Sequence, residues 1–274
     1  MAGSLTGRWS RRALTVAAVG VTFYGVLRYQ DAWAGRWAIP AGEVTGWLLL
    51  ALVGALTFLN VRKRFTRIPL LPATLWVDVH VFLGLLAGLF LLIHVGYSWP
   101  RAALNWGYLL LFASVWASGL GGLWLSRWVP RRLRERGEEV IYERIPAHRA
   151  RLCQRVLEIV DQDLAQDEMP TIAAFAVETL LPFMERPQNR FAHLFRARRH
   201  LQDRLGELDE MERYVSARER HIKTELAALL TTKDDLDYSE AHQALLKYWL
   251  FVHIPLTYAL LLIAPAHIAW ALLF

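Results

Sequence analysis

Four of the nine histidines in this chain sit inside apolar runs: His80 and His94 in one, His253 and His267 in another. Both pairs have the same spacing of 14 positions. At about 100° per residue, that spacing returns to within roughly 40° of the starting direction, so both rings of a pair leave the same side of a helix. The rise between them is about 21 Å, which puts one ring near each leaflet of a hydrocarbon core about 30 Å thick. Ionisable groups are costly at such depth and mark functional sites by default. Nitrogens about 21 Å apart on one helix cannot share a zinc ion, whose ligands sit about 2 Å from the metal. If the two helices run parallel, His80 matches His253 in depth and His94 matches His267. Two b-type haems, each held axially by one histidine from each helix, then satisfy all four rings. Iron with two axial histidines has no open position for substrate and suits outer-sphere electron transfer. The alternative is four histidines bonded to polar neighbours between helices, with no cofactor.

The surrounding residues bear on this reading. Gly84 and Gly88 follow His80 at four and eight positions and remove side chains from nearly its face, where a flat macrocycle must approach. The same two glycines fit a small-residue helix-packing motif, and the two roles are compatible. Gly96, Gly119, Gly121 and Gly122 read as packing residues. Haem propionates need cations near the interface; Arg62, Lys63 and Arg64 are candidates at the inner site and Arg101 at the outer one. Asp78 could stabilise a helix N-terminus or relay a proton. Pro255 and Pro265 read as membrane prolines of the tolerated kind. The single cysteine, Cys153, allows no internal disulfide, and the absence of a Cys-x-x-Cys-His run rules out covalent c-type haem. Cys153 reads as a buried filler. The other five histidines, His148, His193, His200, His221 and His242, lack ligand-like spacing.

The elements that must position these residues follow from hydropathy. Of the 274 residues, 55% are hydrophobic, and the mean hydropathy is +0.24, too apolar for an ordinary soluble domain. Apolar runs near 13–29, 44–61, 75–98, 104–126 and 244–273 approach or exceed the roughly 20 residues of a spanning helix. One span separates the third from the fifth, so those two run parallel. The sequence therefore predicts an all-α, polytopic membrane bundle of about five transmembrane helices. Residues 1–129 carry four of them, 130–242 form a helical cytoplasmic insertion, and 243–274 complete the haem-binding bundle. Inside the insertion Leu152, Val156, Ile159 and Val160 make one apolar stripe, and Leu201, Leu205 and Leu208 another. Pro170, Pro182 and Pro187 punctuate it.

Basic residues set the orientation. Arg8, Arg11 and Arg12 precede the first span, Arg62, Lys63, Arg64 and Arg67 fill the second loop, and Arg127, Arg131, Arg132, Arg134 and Arg136 follow the fourth span. The opposite loops hold only Arg28, Arg36 and Arg101. The positive-inside rule then puts the N-terminus and the insertion in the cytoplasm and the C-terminus outside, as expected of a bacterial inner-membrane protein. Trp33, Trp37, Trp47, Trp99, Trp106 and Trp270 would form the outer aromatic belt, and Trp76, Trp124, Trp128 and Trp249 the inner one. The net charge of +6 is explained by topology, and no nucleic-acid partner is expected. Arg11-Arg12 before an apolar run, with Ala32-Trp33-Ala34 beyond it, also fits an export signal, although an uncleaved first helix is the simpler reading.

The motifs are Asp78-Val79-His80 with Gly84, Ile93-His94-Val95-Gly96-Tyr97, Phe251-Val252-His253-Ile254-Pro255 and Pro265-Ala266-His267. Over the spans, roughly half of the chain, this pattern resembles the bis-histidine di-haem cytochromes b: the cytochrome b of respiratory complexes and the transmembrane cores of ferric reductases and NADPH oxidases. The resemblance implies electron transport by a respiratory or reductase-type oxidoreductase subunit that binds two haem b groups. The insertion has no counterpart in those cores. It also lacks a Gly-x-Gly-x-x-Gly fingerprint, and no flavin or nicotinamide domain is expected beyond the last span, so NADPH oxidation is not expected of this chain alone. The expected partners are a cytoplasmic flavin or iron–sulfur protein docked on residues 130–242, a periplasmic or other outer-face electron carrier, and the lipid bilayer. One alternative is a quinol- or quinone-linked subunit with its own quinone pocket. The other is a non-redox scaffold or transporter, in which basic helices around Arg196, Arg198 and Arg199 lie on anionic lipid.

Overall fold

The computed structural model describes residues 3–33, 40–64, 72–97, 99–136, 140–164, 171–187, 193–194, 199–213 and 219–273. Side chains are described within these ranges except at 3–13, 30–33, 59–64, 73, 97, 163–164, 171, 199–200 and 213. Among the described residues the chain is all-α, with no strand. The helices are α1 (Gly3–Trp33), α2 (Ala41–Arg64), α3 (Ala73–Tyr97), α4 (Ala103–Arg134), α5 (Ile145–Leu164), α6 (Thr171–Phe175), α7 (Leu181–Glu185), α8 (Arg199–Glu210) and α9 (Glu219–Leu273). The second, third and fourth start where carbonyls just outside the helix accept its first free amides. Pro40 receives the amides of Glu43 and Val44, Pro72 those of Leu75 and Trp76, and Ala102 those of Asn105 and Trp106. A residue with no N–H to satisfy is well placed just before a helix.

Two compact units result: residues 1–123 with 250–274, and residues 124–249. The boundaries expected at 129/130 and 242/243 fall inside the second unit. Helix α9 ignores the change from charged to apolar composition and runs unbroken from Glu219 to Leu273, through Pro255 and Pro265. Both prolines are exposed.

In the first unit α1 and α3 run parallel. Leu89 packs on Gly20, where a Cβ would collide with it. Phe23 meets Phe90 edge to face, and Leu27 and Ile93 are buried together. Helix α2 runs antiparallel to α3, with Phe58 near Trp76 at one end and Gly42 near His94 at the other. Leu49, Val53, Ala87, Phe90, Phe112 and Leu260 form the main apolar cluster. Four helices, α2, α3, α4 and α9, are long and apolar enough to cross a membrane, and α1 contributes a shorter apolar stretch, Leu14–Tyr29. At most 28% of any of the four apolar windows is buried inside the protein. Their side chains therefore face outward, as Leu92, Phe251 and Leu262 do, which suits hydrocarbon surroundings and not water.

The second unit has a core of its own. Val156, Ile159 and Val160 of α5 are buried with Leu201 and Leu208 of α8 and Leu226 and Leu230 of α9, while Leu152, Cys153 and Leu205 pack against them. Both apolar stripes expected from the sequence thus meet. A π-helical turn, Ala176–Leu180, joins α6 to α7. Its widening has a local cause in Pro182, near the start of α7, which has no N–H to give and crowds the carbonyl four residues earlier. A dense ionic cluster is also buried here. Asp237, only 2% exposed, binds both Arg149 and Lys233, and Glu240 also binds Arg149. Lys233 lies over the Phe183 ring, Arg136 lies over Tyr238, and Arg136 pairs with Asp234 at 3.1 Å.

Candidate functional site

All four membrane histidines belong to the first unit. Helix α4 meets α9 antiparallel, through Asn105 with His267 at one end and Ser118 with His253 at the other. It also runs opposite to α3, so α3 and the end of α9 run parallel. His94 and His267 line one cavity of about 590 Å³, and a charge on either ring would be felt by the other. His80 and His253 are likewise within electrostatic range of each other. The cavity walls are mostly apolar, from Leu49, Leu50, Val53, Leu91 and Phe112. Among the described residues no group of three or more His, Cys, Asp or Glu side chains could hold a metal ion by itself.

Three of the rings are held through Nδ1. The Nδ1 of His94 lies 3.1 Å from the Gly42 carbonyl and 3.0 Å from Thr45 Oγ1. A carbonyl only accepts, so the contact with Gly42 needs a proton on the ring nitrogen. His94 must therefore donate from Nδ1. The Nδ1 of His253 lies 2.7 Å from Ser118 Oγ, a hydroxyl that can donate to the ring or, when its proton goes to the Val115 carbonyl 2.8 Å away, accept from it. The Nδ1 of His267 gives its proton to Asn105 Oδ1 at 3.1 Å. A neutral imidazole protonated at Nδ1 carries its free lone pair at Nε2. In metal sites a ligating histidine almost always anchors its other ring N–H to a carbonyl, carboxylate or water in this way. This donor set fits haem iron, which takes imidazole nitrogen axially.

The rings are also held by shape. Gly46 brings α2 so close that a Cβ there would sit 3.3 Å from Cε1 of His94. At Gly119 the corresponding distance to Cε1 of His253 is 3.6 Å. The Tyr108 ring stacks on His267 with centroids 4.7 Å apart and planes 13° from parallel. Sequence reasoning missed Gly42, Thr45, Gly46, Asn105, Tyr108 and Ser118.

Of the residues singled out in sequence, Arg101 lines the cavity of His94 and His267. Gly88 makes room for a side chain: the Trp116 indole occupies the space where a Cβ would go, and its Nε1 donates to the Gly84 carbonyl at 3.0 Å. Helix packing is therefore its visible role. Beside Gly84 the Cβ position is open. Gly121 is likewise open and Gly122 is buried. Asp78 is half-buried next to His80. The side chains of Arg62, Lys63 and Arg64, the N-terminal arginines Arg8, Arg11 and Arg12, and residues Arg36, Arg67, Trp33, Trp37, Arg196, Arg198, Arg199 and His200 lie outside those described. In the insertion His148 is half-buried and His221 exposed. His242 is buried and gives its Nδ1 proton to the Tyr238 carbonyl at 2.9 Å. His193 is buried 3.8 Å from Asp234. Burial pushes the Cys153 thiol above its ordinary range, which suits a filler and not a nucleophile. Comparison of the chain with protein-family models, with curated proteins and with solved structures found no match.

Proposed function

We propose that this chain is an integral membrane cytochrome that binds two b-type haems, one between His80 and His253 and one between His94 and His267, and carries electrons across the bilayer. The observation that carries the reading is the shared anchoring of His94, His253 and His267: each ring has its Nδ1 within hydrogen-bond distance of an oxygen, of Gly42, Ser118 and Asn105 respectively, which leaves Nε2 for iron. Bound haem would supply one-electron chemistry at a low-spin, six-coordinate iron. The chain's own residues do the rest. The four histidines set ligation and spacing, the apolar walls keep water out, and Arg101 offers a cation to an acidic group at the outer cavity. In this reading α1 is a fifth span and the N-terminus is cytoplasmic, as the loop charges require. The insertion then faces a cytoplasmic flavin or iron–sulfur partner, and an outer-face carrier meets the other end.

The test is the absorption spectrum of the purified protein, oxidised and then dithionite-reduced, with haem counted per chain. Sharp reduced bands of low-spin b haem at two per chain are expected. A colourless protein from haem-replete cells overturns the proposal. A second reading draws on Glu43, an exposed carboxylate at the outer cavity beside Trp47 and Arg101. That set could take the proton of a quinol headgroup, and reduction of the protein by a quinol analogue, lost in Glu43→Gln, would support it.

A further inference from the structure

Helix α4 offers a different group to each histidine of α9. At the inner level it presents a hydroxyl, Ser118, to His253. At the outer level it presents a carboxamide oxygen and a ring, Asn105 and Tyr108, to His267. Asn105 and Tyr108 are three positions apart, so they share one face of the helix, and both line the outer cavity. Their grips on His267 are complementary. Asn105 holds the ring at its edge, through the Nδ1 proton. Tyr108 covers a face, and a parallel neighbour at 4.7 Å opposes rotation of the imidazole about its bond to Cβ.

We propose that Asn105 and Tyr108 are positioning residues that set the electronic character of the outer site through His267. The inference rests on the haem reading given above. A hydrogen-bond acceptor on Nδ1–H makes the imidazole a stronger base at Nε2. A more basic axial ligand favours ferric over ferrous iron and so lowers the reduction potential, which axial ligands and their hydrogen bonds tune. The stacked ring of Tyr108 fixes the plane of the imidazole, and that plane sets the anisotropy of the low-spin ferric signal. The carboxamide and the hydroxyl on α4 thereby make the outer and inner sites inequivalent from a single helix.

The experiment is a redox titration of the purified full-length protein, with electron paramagnetic resonance of the oxidised form. It compares wild type with Asn105→Leu, Asn105→Gln, Tyr108→Leu and Tyr108→Phe. Asn105→Leu should favour ferrous iron at one of the two haems by about tenfold, ~59 mV upward for a one-electron couple, with the other haem unmoved. Asn105→Gln, which keeps the carboxamide, should recover most of the shift. Tyr108→Leu should change the anisotropy of one ferric signal, and Tyr108→Phe should preserve it. Unchanged potentials in Asn105→Leu with both haems retained overturn this proposal and leave the haem reading standing. If Asn105→Leu fails to retain haem, Tyr108→Leu decides alone, and an unchanged ferric signal there overturns the proposal. A wild-type protein without haem overturns both readings.

Discussion

A histidine that binds a metal almost always has its second ring nitrogen held by another group, and the proposed ligands His94, His253 and His267 meet that condition. For His94 that support is the Gly42 carbonyl and the Thr45 hydroxyl, and the space for it comes from Gly46. A side chain larger than Cβ at Gly46 must drive into the His94 ring, because even a Cβ would lie 3.3 Å from it. Gly46→Leu should therefore lower the haem content from two per chain toward one. Gly54→Leu, on the same helix at an exposed position with nothing within 4 Å, should keep two. Haem quantification per chain decides, and equal content in both variants would sink the idea. The histidines were legible in sequence because their repeated spacing of 14 constrains both face and depth. Thr45, Asn105 and Ser118 were not, since one hydroxyl or amide in an apolar run has no spacing signal of its own. A weak signal did exist. Asn105 and Ser118 are 13 positions apart on a helix antiparallel to one whose histidines are 14 apart, which is the register two packed helices need.

At the level of elements, the buried charges of the insertion decide its stability. Asp237 is the acceptor for two cations, Arg149 and Lys233. Burial pulls the Lys233 ammonium below its ordinary range, so the pair with Asp237 is what keeps a charge tolerable there. Asp237→Ala strips Lys233 of its bonded carboxylate. Breaking a buried pair from one side costs about 3–5 kcal/mol, and a drop of several degrees in melting temperature is expected. Lys233→Met removes the cation while Asp237 keeps Arg149, so it should cost far less. Thermal melts of the two variants in detergent separate these outcomes, and equal losses would refute the ordering. The apolar stripes on α5 and α8 were readable because helical periodicity survives in a polar segment. The extent of α9 was not. A switch from charged to apolar composition looks like a domain edge, yet backbone hydrogen bonding along a helix is indifferent to it. Likewise, the neighbour of Gly88 was not readable: the fold brings Trp116 against it, and sequence spacing fixes a face and not what meets it.

For the whole molecule, pH and topology test the two units separately. Burial holds His193 and His242 below their ordinary 6.5. Asp234 and Asp237 work against this at His193, and Arg136 and Lys233 reinforce it. Folded, the two rings stay neutral at a pH where the unfolded chain already takes up protons. Their contribution is therefore complete above pH 6.5 and is lost as pH falls below that value. The full-length protein should melt lower at pH 5.5 than at pH 7.5, and His193→Leu combined with His242→Leu should narrow that difference. Equal pH sensitivity in the double variant would refute it.

The proposed topology rests on charge, because five arginines between positions 127 and 136 resist translocation while the loop near 99–102 holds only Arg101. In a Cys153→Ser background, a cysteine placed at Arg151, exposed on α5, and one placed at Ala103, exposed at the start of α4, should report on opposite faces under this proposal. A membrane-impermeant thiol reagent should label Arg151→Cys only in inside-out vesicles and Ala103→Cys only in right-side-out vesicles. Labelling of both from one side would invert or collapse the proposed arrangement. It would also remove the path the two histidine pairs would span, since electron transfer across the bilayer requires the two sites to lie nearer opposite faces.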